Sequence, residues 1–131
     1  MRKFLFIISL VLIARIACST ELYWQVNPNA FEFNMNVTAA AYINDVEQQN
    51  EMLEIGVFFG EELRGSALPR LSPLVNKYIY DLTIYSDENC ELSFKLYDHS
   101  TNEVSDLDCE QILTFVANGT EGNAFNPYII A

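Results

Sequence analysis

From Phe31 to Ile43 the chain reads FEFNMNVTAAAYI, with Phe31, Phe33, Met35, Val37, Ala39, Ala41 and Ile43 apolar and Glu32, Asn34, Asn36 and Thr38 polar between them. Side chains alternate across a strand, so a period of two places one continuous apolar face on a core and the other in water. The pattern predicts a long antiparallel strand that the rest of the chain is built around.

Similar alternation recurs along the chain. Glu21–Val26 is short, aromatic and β-prone and runs into the turn-forming Asn27-Pro28-Asn29, which predicts a first strand with Trp24 in the core, an exposed platform being the alternative for that ring. Met52–Phe59 sets Leu53, Ile55, Val57 and Phe59 on one face, with Gly56 where a neighbour approaches closely. The Gly60–Gly65 stretch reads as a hairpin turn entering a short strand, followed by a loop with Pro69 and Pro73. In Lys77–Ser86 the core face is Tyr78, Tyr80, Leu82 and Ile84, and in Cys90–Tyr97 it is Leu92, Phe94 and Leu96. Strands over Val104–Cys109, Gln111–Ala117 and Phe125–Ile130 complete the set. No 3.6-residue apolar period follows the first twenty residues. About eight or nine short strands predict an all-β, two-sheet antiparallel β-sandwich, immunoglobulin-like or jelly-roll-like.

The N-terminus changes the compartment. Arg2 and Lys3, an apolar run from Phe4 to Ala14 and small residues around Ala17, Cys18 and Ser19 have the order of an export signal. The run falls short of the roughly 20 apolar residues of a membrane span. We read residues 1–18 as an export segment of secretory or lipoprotein type, residues 20–131 as one β-sandwich domain, and the destination as secreted or cell-surface. Cys18 after Ala17 resembles the lipid acceptor of a bacterial lipoprotein, although Arg15 stands where that pattern has an apolar residue, so lipid attachment at Cys18 and plain cleavage both stand open.

Removing that segment takes away Arg2, Lys3 and Arg15 and leaves Arg64, Arg70, Lys77 and Lys95 against eighteen acidic residues, a formal charge of −14. Nucleic acid, whose phosphates need basic partners, is excluded as a partner, and an anionic membrane surface is disfavoured. The remaining Cys90 and Cys109 are expected to pair. A hairpin centred on His99-Ser100 sets the two opposite each other, and a loop of that length gives about 3 kcal/mol of stabilisation in the chain-entropy account.

The runs W-x-V-x-P at Trp24–Pro28, I-G-x-F-x-G-E-E-x-R-G at Ile55–Gly65, S-F-K-L-Y-D at Ser93–Asp98, F-x-x-N-G-T at Phe115–Thr120 and N-P-Y-I-I at Asn126–Ile130 resemble a secreted β-sandwich module of Bacteroidota surface and extracellular proteins. The likeness covers nearly the whole chain after the export segment. It implies export and fold, with the module expected alone here rather than joined to a sorting domain. It implies no catalytic activity, and fold by itself does not assign function.

Catalytic chemistry finds little footing. The single histidine, His99, falls at the expected hairpin tip, where a solvated turn residue is the plain reading, and no Cys or His cluster has zinc spacing. Asp87-Glu88 and Asp106-x-Asp108 flank the expected disulfide and could converge on calcium, although solvated carboxylates account for them as well. Glu61-Glu62 is the densest acidic pair, but neighbours on a strand point to opposite faces. We therefore expect no enzyme, no cofactor and no metal site.

Binding has more behind it. Tyr42, Tyr85 and Tyr97 are expected on outward faces, interleaved with Asn36, Thr38, Asp81, Thr83, Ser93 and Lys95. Rings with wet hydroxyls beside hydrogen-bonding groups suit a sugar or protein surface, and the same rings also suit cross-strand stiffening. The candidate binding face is Tyr42, Tyr85, Tyr97, Thr83 and Lys95. The expected function is an exported, non-catalytic module that binds a glycan or protein at the cell surface. The alternative is an assembly subunit that adds a strand to a partner's sheet edge, and a glycan-active hydrolase stands third. Asn36-Val37-Thr38 and Asn118-Gly119-Thr120 match glycosylation sequons, which the bacterial resemblance makes incidental.

Overall fold

The computed structural model describes residues 20–131, so the expected export segment and Cys18 lie outside the described residues. After a 3₁₀ turn at Pro28–Ala30 come β1 (Phe33–Ile43), β2 (Val46–Glu47), β3 (Leu53–Phe59), β4 (Glu62–Ala67), β5 (Arg70–Ser72) and β6 (Lys77–Ser86). They are followed by β7 (Glu91–Asp98), β8 (Glu103–Leu107), β9 (Leu113–Thr114), β10 (Thr120–Glu121) and β11 (Tyr128–Ile130). Sheet 1 has the order β10-β1-β6-β5, with β11 and β2 also on β1. Sheet 2 has the order β4-β3-β7-β8, with β9 on β7. Pairing is antiparallel except where β10 and β11 run parallel to β1.

The two sheets form a sandwich by burying the faces that alternation marks. Sheet 1 contributes Met35, Val37, Ala39 and Ala41 from β1 and Tyr80, Leu82 and Ile84 from β6. Sheet 2 contributes Leu53, Ile55 and Val57 from β3 and Leu92, Phe94 and Leu96 from β7. β1 turns into β2 through Asn44 and Asp45, both at positive φ, which gives the two-residue hairpin geometry that follows the strands' own twist.

One corner of the sandwich is closed. β4 lies against β6, and the approach is so tight at Gly65 that a β-carbon there would stand 2.5 Å from the Thr83 carbonyl oxygen. Arg64 pins the same corner: its guanidinium donates to the Ser86 hydroxyl at 2.8 Å and to the Tyr85 carbonyl at 3.3 Å, and it lies over the Phe31 ring. The first two bonds fix where Tyr85 sits.

Several expectations are corrected. Glu21–Val26 is not a strand. It is an irregular strap, bent at Tyr23 and Trp24, whose backbone donors go to a side chain rather than to a ladder. Gln111–Ala117 shortens to β9 because the register on β7 slips: Phe94 faces Leu107, yet Leu92 faces Leu113. Residues 108–112 loop out there and carry Cys109 away, while the Phe115 N–H bonds to the Cys90 carbonyl at 2.8 Å. The expected Cys90–Cys109 disulfide is therefore absent, and both thiols are free. Cys90 lies in the core 3.7 Å from the Ser86 hydroxyl, and burial pushes the Cys109 thiol up from its ordinary value despite a hydrogen bond with Tyr128 that acts the other way.

Candidate functional site

The polar edge of β1 and the odd positions of β6 form the outer face of sheet 1. Register sets Asn34 beside Tyr85, Asn36 beside Thr83 and Thr38 beside Asp81. These rungs are held by polar contacts, since the Thr83 hydroxyl donates to the Asn36 side-chain oxygen at 3.2 Å and Arg70 Nε reaches Asp81 at 2.5 Å. The pair with Asp81 raises the Arg70 guanidinium from its ordinary value, although both side chains are about half exposed and add little stability.

At one end of this face lies a cleft of about 360 Å³ lined by Asp81, Thr83 and Tyr85 from β6, Ser66 from β4, and Leu22, Gln25 and Val26 from the strap. At the other end is an apolar depression of about 290 Å³, floored by Ala40 and Ile79 and walled by Phe125 and Ile129. Tyr42 stands at its rim and donates to Glu47 at 2.8 Å, a bond that raises the phenol from its ordinary value. Three of the five expected residues, Tyr42, Thr83 and Tyr85, thus share one outer face, and two of them share one cleft.

Tyr97 and Lys95 do not join them. They stand on the outer face of sheet 2, where Tyr97 is buried beneath the strap: its ring stacks on Tyr23 with centroids 3.8 Å apart, and its hydroxyl donates to Asn102. Tyr97 is therefore withdrawn from the binding face. Lys95 extends over the Phe58 ring at 5.1 Å. Trp24, expected in the core, rests instead on the outside of sheet 2 against Gly56, where only a glycine leaves room for the indole.

The residue that organises this covering gave no signal in the sequence. Glu54, on the outer side of β3, is fully buried, and its carboxylate accepts the backbone N–H of Tyr23 at 2.7 Å and of Trp24 at 2.9 Å. His99 Nε2 lies 2.8 Å from the same carboxylate. A buried carboxylate persists only where donors replace its lost water, and the two backbone N–H groups do so here. His99 is thus a half-buried member of this cluster rather than a solvated turn residue.

Other chemistry is sparse. Among the described residues no group of three or more His, Cys, Asp or Glu converges as metal ligands do, and Asp87 of the candidate calcium set caps the Glu32 N–H at 2.7 Å. Glu62 lies 3.0 Å from Arg64 Nε. A further depression of about 560 Å³ opens between β9 and β10 over Met35, Leu113 and Tyr128, away from the expected residues. It is the gap left where two-residue strands fail to close the sandwich margin. Among the described residues no helix is long and apolar enough to cross a membrane. Comparison with known proteins returns no matching family model, no matching curated protein and no matching solved structure.

Proposed function

We propose that the chain is an exported, non-catalytic module that binds a glycan through the outer face of sheet 1, with the Tyr85 cleft as its centre. The observation that carries this reading is the cleft itself: an aromatic side chain stands beside the carboxylate of Asp81, the hydroxyls of Thr83 and Ser66, and the amide of Gln25. Sugars are recognised by such combinations, a ring face for the C–H side and short polar groups for the hydroxyls. The strong negative charge favours a neutral or cationic ligand over an anionic one. A glycan array probed with residues 20–131 tests the reading, because binding must appear with the wild-type domain and weaken when Tyr85 is replaced by Ala.

A second reading, strand addition to a partner's sheet, is favoured by one observation. β8 is the outermost strand of sheet 2, and Glu103–Asp106 are exposed along it. Its short length and the carboxylates of Glu103 and Asp106 are features that usually discourage such pairing. A concentration-independent monomer in sedimentation would leave this reading without support.

A further inference from the structure

We infer that the strap is a docked wall of the ligand cleft, and that Glu54 positions it from the outer face of sheet 2. This deepens the reading proposed above and rests on it. The strap wraps the closed corner of the sandwich. Tyr23 and Trp24 face sheet 2, where they are held by Glu54 and by stacking, whereas Leu22, Gln25 and Val26 face the cleft on sheet 1. Ser66, on β4 between the two, donates its hydroxyl to the Trp24 carbonyl at 2.5 Å and also lines the cleft.

The strap has no backbone ladder of its own, so these few contacts decide whether three of the seven lining residues are in place. Glu54 supplies the two bonds that fix consecutive backbone amides, and two donors one residue apart on one carboxylate fix both position and direction. Trp24 then sets the depth at Gly56. Glu54 touches no ligand in this account. It acts through Leu22 and Gln25, and a ligand that contacts them binds the docked strap better than a released one.

The apparent affinity of such a site falls by the fraction of molecules whose wall is docked. Trp24 is the only tryptophan in the chain, so its emission reports docking directly. The test uses residues 20–131 as wild type, Glu54→Gln, which replaces one of the two acceptor oxygens with an NH2 donor set against a backbone N–H, and Gly56→Ala, which displaces the indole. Two quantities are read for each: acrylamide quenching of Trp24, and affinity for the best glycan on the array, with far-UV circular dichroism confirming the sandwich. Both variants are expected to expose Trp24 to quencher and to weaken glycan binding by about ten-fold or more, and bound glycan is expected to protect wild-type Trp24. Variants with a released Trp24 and wild-type affinity would overturn the coupling alone. A wild-type domain that binds no glycan removes the functional reading and the coupling with it.

Discussion

Trp24 lies directly against Gly56, so closely that a β-carbon on Gly56 would stand 2.6 Å from the indole Cε3. The second obstacle is the Phe58 ring at 2.8 Å, so neither side of the glycine offers space. Gly56→Ala is expected to cost about 1–3 kcal/mol through overpacking. Chemical denaturation followed by circular dichroism checks it, and an unchanged midpoint would mean that Trp24 does not occupy this position.

Two of the three tyrosines expected to act together, Tyr85 and Tyr97, should separate. Tyr97→Ala removes a buried ring from under the strap and is expected to destabilise by about 3 kcal/mol. Tyr85→Ala, from a half-buried ring at the cleft, is expected to leave most of the stability intact and to reduce ligand binding. Melting curves of the two variants distinguish them, and equal losses would contradict their placement on different faces.

Alkaline pH should unfold the domain for a stated reason. Burial pushes the phenols of Tyr80 and Tyr128 and the thiol of Cys109 up from their ordinary values. A raised folded-state value means that the neutral form is favoured in the fold. The stabilisation is fully present below the unfolded values, near 9 for the thiol and 10 for the phenols, and is lost as pH rises beyond them toward the folded values. Stability is therefore expected to be flat from pH 7 to 8 and to fall steeply above about pH 10. Tyr80→Phe should flatten that fall while losing the bond to the Leu53 carbonyl at neutral pH.

Thiol chemistry offers a further check. Residues 20–131 should present two titratable thiols after denaturation without reductant, and reductant should leave the melting temperature unchanged. A mass lower by two hydrogens after aerobic purification would show a Cys90–Cys109 bond.

Alternation made the inner faces legible, because core contacts obey the period of the strand that makes them. Met35, Val37, Tyr80, Leu82, Phe94 and Leu96 all point where a period of two sends them. The outer face of sheet 2 was illegible for the complementary reason. Tyr97 alternates outward as expected, yet what covers it is a strap some seventy residues earlier in the chain, held by a glutamate that no local pattern distinguishes from seventeen other acidic residues. Gly56 gave the one hint, since its lack of a side chain signalled a close neighbour. The disulfide failed at register: the β7–β8 turn is centred on Ser100-Thr101 rather than His99-Ser100, and residues 108–112 then loop out.

For the candidate site, β1 and β6 were readable as a polar face, so Asn36, Thr83 and Tyr85 fell together. Gln25 and Ser66 were not, because they reach the cleft from the strap and from β4 only when the sandwich corner closes.

The central claim is that the Tyr85 cleft binds a glycan. Its most direct test is the dissociation constant of residues 20–131 for the strongest ligand on a glycan array, measured beside Tyr85→Ala. The account predicts saturable binding by the wild type, weakened about ten-fold or more in the variant, as loss of a central aromatic contact implies. No array signal, or equal affinities for wild type and Tyr85→Ala, would contradict it.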